Sequence, residues 1–133
     1  MASKIFVNLP VKDLKRSRAF FSALGYSFNE TFSDDTAACM VISDDIYSML
    51  LTEAKFKGFT PKAVADATKT TEVLIALSVE TKAKVDELVD TALKNGATKT
   101  REAEDHGFMY ERSFNDLDGH VWEIVWMDPA AAQ

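Results

Sequence analysis

A single cysteine is present, so no disulfide can form within the chain, and Cys39 sits in the apolar run Ala37-Ala-Cys-Met-Val-Ile42. A reducing cytoplasm is the compartment this implies. No run of about 18 apolar residues occurs and no basic leader precedes a long apolar core, so membrane spanning and secretion lack their simplest sequence support. The glycosylation pattern Asn29-Glu-Thr31 needs a secretory passage that nothing else signals, and it is read as chance. Basic charge is also short. Fifteen Lys and Arg against 21 Asp and Glu leave a formal charge of -6, and Lys12, Lys15, Arg16 and Arg18 form only a local cluster on a helix surface, which argues against a nucleic-acid partner. There is no G-x-G-x-x-G or phosphate loop, no Cys-x-x-Cys pair and no Gly-x-Ser-x-Gly segment. Nucleotide cofactors, dithiol exchange and the common hydrolase nucleophile therefore have no motif here.

The sequence does contain a folded domain's worth of apolar residues. They make up 47% of the 133 residues, with 27% charged, a balance that fits one soluble globular domain. A strand pattern over Lys4-Ile-Phe-Val-Asn-Leu-Pro10 leads through a turn at 11–13 into a helical pattern from Ser17 to Leu24, with Ala19, Phe20, Ala23 and Leu24 available for packing and Gly25 as its stop. Strand candidates follow at Tyr26-Ser-Phe28, 37–42 and 46–51. After a loop or short helical excursion around Phe56 to Thr68, the order restarts. The second series has a strand at 72–79, a helix from Lys82 to Lys94 that packs through Val85, Leu88, Val89 and Ala92, a stop at Asn95-Gly96, and strands at 98–101, 107–115 and 120–127. Two βαβββ modules over 4–51 and 72–127, joined by 52–71, account for this better than one irregular domain, because neither short sheet completes a core alone.

The closing segment Asp116-Leu-Asp-Gly-His-Val-Trp-Glu-Ile-Val-Trp126 sets one carboxylate among apolar side chains. In a strand, Val121, Glu123 and Val125 share one face, and His120, Trp122, Ile124 and Trp126 share the other. An acid on an inward face is a ligand, an acid/base or a paired structural group. Glu123 is thus the candidate catalytic residue or hydrogen-bond acceptor; the structural alternative pairs it with a backbone donor, Asn8 or Tyr110. Trp122 and Trp126 are assigned to helix packing or a subunit interface.

Together with Ile5-Phe-Val-Asn-Leu-Pro-Val-Lys-Asp-Leu-Lys-Arg-Ser-Arg-Ala-Phe-Phe-Ser-Ala-Leu-Gly25, this segment resembles the vicinal oxygen chelate superfamily of glyoxalases, extradiol dioxygenases and bleomycin-resistance proteins. The opening Val-x-Asp-Leu-x-x-Ser-x-x-Phe-Phe and the closing Asp-x-Asp-Gly-His-x-x-Glu carry the likeness. It implies an α+β fold of two βαβββ modules forming a curved mixed sheet around a cavity, with a homodimer completing the site. It also implies a divalent metal in catalytic members, held from the first and last strands of each module. Carried over, those positions are Phe6, Met49, Leu74 and Glu123, of which only Glu123 is an ordinary metal ligand. Phe6 and Leu74 lack lone pairs, and the Met49 thioether suits soft ions. No metal centre or cofactor is therefore predicted, and a divalent metal would require altered ligation.

Further pocket candidates are Asn8, which shares a face with Phe6, and Phe108 with Tyr110 on a later strand. His106 and His120 read as loop and turn residues rather than ligands, and Cys39 as a buried neutral thiol. Phe56-Lys-Gly-Phe-Thr-Pro61 is either a mobile cover or a seal at the module junction. The leading expectation is binding of an apolar or aromatic small molecule with a polar handle, without the usual metal. The alternative is a divergent lyase, isomerase or extradiol dioxygenase with altered ligation and Glu123 as ligand or base, so enzymatic turnover stays open at this level.

Overall fold

A computed structural model describes residues 3–131. The chain divides into two compact units, 1–65 and 66–133. The strands form two mixed sheets, one within each unit and neither closed into a barrel, in keeping with the mixed α+β fold of two modules that the sequence suggested. No helix among the described residues is long and apolar enough to cross a membrane.

The first unit runs β1 (Ile5–Val11), α1 (Leu14–Ala23), β2 (Ser27–Asn29), β3 (Ala37–Val41), β4 (Ile46–Thr52) and a short α2 (Glu53–Lys57). Its sheet order is β1-β4-β3-β2, with β1 parallel to β4 and the other pairs antiparallel. Helix α1 starts one turn before the periodicity suggested. Asp13 caps it by accepting from the Arg16 amide at 3.1 Å, which satisfies an otherwise unpaired donor. The buried stripe is Leu14, Ser17, Phe20, Phe21 and Leu24, whereas Ala19 and Ala23 are exposed. Phe21 takes the place expected for Ala19 and Ala23 because the helix, begun at Leu14, is rotated to bury its large side chains. The expected excursion at 56–68 is helical only up to Lys57.

In the second unit the order is β5 (Leu74–Ser78), α3 (Lys82–Lys94), β6 (Thr98–Lys99), β7 (Glu104–Asp105), β8 (Met109–Asn115) and β9 (Val121–Met127). The sheet runs β5-β9-β8-β6, β7 also pairs with β8, and β5 lies parallel to β9. Helix α3 keeps the expected bounds and buries Val85, Leu88, Val89 and Ala92. The strand expected at 98–101 is cut short to Thr98–Lys99, a further two-residue strand at Glu104–Asp105 was not expected, and Arg101 lies in the break between them.

Both units close their long helix in the same way. Gly25 and Gly96 take φ of +102° and +108°, and the amides of Tyr26 and Ala97 reach back to the carbonyls of Phe21 and Ala92 at 3.2 and 3.0 Å. This is the glycine-terminated helix end, open to glycine because a side chain is strained at positive φ. The registers repeat too, with Asn8 opposite Met49 across β1 and β4, and Ala76 opposite Glu123 across β5 and β9. The four positions singled out by resemblance are thus equivalent in pairs, Phe6 with Leu74 and Met49 with Glu123.

Candidate functional site

The hairpin register fixes which side chains accompany Glu123. Ser113 lies directly opposite it, Glu111 opposite Val125, Arg112 opposite Ile124 and Phe114 opposite Trp122. Cross-strand partners share a face, so Glu111, Ser113 and Glu123 lie together and the even-numbered residues lie on the other side. That other side carries α3. Asp86 of α3 accepts from the Tyr110 hydroxyl at 2.6 Å and from Arg112 at 2.9 Å, and Phe114, Trp122 and Ile124 are fully buried. The expected role of Trp122 in helix packing matches this burial.

Tyr110 consequently does not share a face with Glu123, contrary to the expectation. Its hydroxyl is held by Asp86, and that bond pushes the phenol above its ordinary range while drawing the Asp86 carboxyl below its own. Phe108 precedes β8 and is exposed, with its ring 6.3 Å from that of His106. His106 stands 3.9 Å from Glu104.

Glu123 is paired with a residue that the sequence did not nominate. Arg101 places Nη2 2.9 Å from Glu123 Oε2, the same nitrogen contacts Glu111 Oε1, and Nη1 lies 2.7 Å from Glu104 Oε2. The Glu111 and Glu123 side chains are 17% exposed, against 36% for Arg101. The hydrogen bonds it donates, first to Glu111 and then to Glu123, push the guanidinium further above its usual range and keep it cationic. Arg101 is therefore the partner that the second unit gives Glu123, while the Tyr110 hydroxyl goes to Asp86. Leu74, exposed and opposite Val121, is its diagonal neighbour on the same face.

In the first unit, Phe6 stacks on Tyr47 with ring centroids 4.7 Å apart and planes 10° from parallel. Phe6 remains 49% exposed. The Asn8 amide donates to the Phe6 carbonyl at 3.1 Å, and Met49 lies opposite Asn8 on one side and Cys39 on the other. Phe6, Asn8, Tyr47 and Met49 thus occupy one face, on the parity opposite to buried Leu9, Ser48 and Leu50. Burial pushes the Cys39 thiol up, which favours its neutral form.

These donors do not fit the divalent metal that the resemblance implies. Phe6 and Leu74 offer no lone pair, Met49 offers a soft sulfur, and Glu123 is engaged by a guanidinium. Among the described residues no group of three or more His, Cys, Asp or Glu is gathered to hold an ion.

The rest of the closing segment is scaffold. Asp116 Oδ1 accepts from the amides of Asp118 and His120 at 2.9 and 3.0 Å, and Oδ2 accepts from the Trp122 indole at 2.9 Å. Burial nonetheless pushes the Asp116 carboxyl above its ordinary range. Gly119 closes the turn at φ +91°, donating to the Asp116 carbonyl at 3.1 Å. His120 therefore belongs to the turn, and Glu123 is the acid that the turn delivers to the opposite face.

Residues 4–43 match the family described as bleomycin resistance protein-like N-terminal. No functionally curated protein matches the chain. Among solved structures, the hypothetical protein SA1046 from S. aureus is 28% identical with a TM-score of 0.79, covering 95% of this chain and 94% of that one. A glyoxalase/bleomycin resistance protein/dioxygenase family enzyme from Burkholderia phytofirmans PsJN is 19% identical with a TM-score of 0.77, over 95% of this chain and 99% of its own. The fosfomycin resistance protein FosX from Mesorhizobium loti is 14% identical with a TM-score of 0.71, over 99% and 98%. The fold is that of the vicinal oxygen chelate superfamily. Residues 4–43 carry the bleomycin-resistance-like N-terminal pattern.

Proposed function

We propose that the protein binds an apolar or aromatic small organic molecule on the face of the first sheet that carries Phe6, without the superfamily's divalent metal. The observation that carries this reading is the half-exposed Phe6 ring stacked on Tyr47, a flat apolar platform left open to water. A planar ligand gains both burial and stacking there. Met49 supplies an adaptable thioether wall, and the exposed Asn8 amide can meet a carbonyl or hydroxyl on the ligand. A homodimer, expected from the resemblance, is retained as part of the proposal. The donor set weighs against a lyase or dioxygenase that depends on metal, since three of the four positions offer no hard ligand.

Titration with neutral aromatic probes such as 1-naphthol, followed by amide NMR and calorimetry, tests the reading. Saturable binding should survive a chelator and perturb amides of β1 and β4. Phe6→Ala should weaken it about tenfold, equivalent to ~1.4 kcal/mol. Binding that Phe6→Ala leaves unchanged, or that a chelator abolishes, refutes it.

A further inference from the structure

A second recognition element lies on the β8–β9 face, and it stands independently of the aromatic platform. Arg101 reaches it from the break between β6 and β7, and a single nitrogen of its guanidinium bridges Glu111 and Glu123. Between those two acids sits Ser113, directly opposite Glu123. Ser113 is 3% exposed, and its hydroxyl oxygen has no hydrogen-bond partner among the described residues. A buried hydroxyl without a partner is uncommon, and here it shares a face with two carboxylates already occupied by a cation.

We propose that Glu111, Ser113 and Glu123 form a binding site for a primary ammonium group, and that Arg101 is its resident stand-in, displaced when the ligand enters. The donor count favours this chemistry. The bridging guanidinium nitrogen has two N–H groups, both directed at carboxylates, whereas a primary ammonium has three donors on one compact atom and can serve the hydroxyl as well. Charge points the same way. Glu104, Glu111 and Glu123 surround one arginine, so the locality stays acidic and attracts a cation rather than an anion. Arg101 also has somewhere to go, because Nη1 is held by Glu104 on the edge fragment β7 and that contact can persist when Nη2 lets go.

Methylammonium tests the site without a ring, so that its outcome is separate from that of the aromatic probes. Tetramethylammonium, equal in charge but lacking N–H donors, is the control. With Arg101→Ala, methylammonium should bind about tenfold more tightly than to the wild type, because the internal competitor is gone. The binding should perturb the Ser113 and Glu123 amides, disappear when Glu123→Gln is added, and have no counterpart with tetramethylammonium. Arg101→Lys carries its own ammonium into the site and should not respond. A folded Arg101→Ala protein that shows no saturable response, or that answers both cations alike, overturns the proposal. Should Arg101→Ala not fold, Ser113→Ala in the wild-type background decides the matter. It removes only the unpartnered hydroxyl, and it should weaken methylammonium binding about threefold. Unchanged binding overturns the proposal.

Discussion

Replacing Gly119 with alanine should be among the most damaging single-atom additions this protein can receive. The residue sits at φ +91°, where an L side chain is strained by roughly 1–2 kcal/mol. A Cβ there would also fall 2.7 Å from the carbonyl carbon and oxygen of Ala67 and 2.8 Å from the amide of Thr68. Those are backbone atoms, so relief requires moving the chain at 67–68 rather than turning a side chain. Overpacking of this kind costs about 1–3 kcal/mol, which brings the total to about 2–5 kcal/mol of a domain stability usually near 5–15. Gly25 is the internal control, because its φ of +102° is similar and nothing lies within 4 Å of the added atom. Urea unfolding of both variants, followed by tryptophan fluorescence and far-UV dichroism, separates the conformational cost from the steric one. With a slope of about 2 kcal/mol per molar, Gly119→Ala should lower the midpoint by roughly 1–2.5 M, and Gly25→Ala by markedly less. Equal midpoints would show that the contact with residues 67–68 plays no part in holding the turn.

Two further substitutions test the same module. Asp116→Ala leaves the Trp122 indole and two turn amides without their acceptor, and it should cost about 2–4 kcal/mol in urea unfolding; a loss under about 0.5 would contradict the staple. Tyr110→Phe removes the largest influence drawing Asp86 below its ordinary range. A depressed carboxyl stabilises the fold above its unfolded pKa and loses that contribution as pH falls through the folded value. The raised Tyr110 phenol contributes below its own unfolded pKa and loses its share as pH rises through the folded one. The wild type should therefore exceed Tyr110→Phe by about 0.5 kcal/mol between those limits, a low figure because Asp86 is water-accessible, and the gap should close in acid. A gap that is constant with pH would exclude the carboxylate as the partner.

What could be read from the sequence, and what could not, follows from how local each signal is. Helix α3 was legible to the residue because Val85, Leu88, Val89 and Ala92 are periodic and Gly96 ends it. The start of α1 is not legible in the same way, because the capping contact of Asp13 lies outside the apolar repeat that the periodicity reports. Alternation alone cannot separate Tyr110 from Glu123, because it gives faces within one strand, while the faces shared by two strands depend on the length of the turn between them. The turn closed by Asp116 sets Asn115 opposite Val121, so odd residues meet odd, and Tyr110 goes to α3 with Trp126. Arg101 carried no periodic signal at all, lying in a break between strand fragments. The one available hint was Glu111, whose parity with Glu123 under that register puts two carboxylates on one face and calls for a cation between them.

The closing segment thus divides its residues between two tasks that a motif match merges. Asp116, Gly119 and Trp122 bond or pack among themselves and against residues 67–68, and together they fix the register of β8 against β9. Glu123 does none of this, and its carboxylate goes instead to the other face and to Arg101. A chain can therefore keep the whole Asp-x-Asp-Gly-His-x-x-Glu pattern for the sake of its fold while the chemistry at Glu123 is set by whatever faces it. Here the first equivalent position is Phe6, the second is Met49, the third is Leu74, and the fourth meets a guanidinium. The motif accounts for the scaffold, and the chemistry open to Glu123 is set by the guanidinium and the carboxylate that share its face.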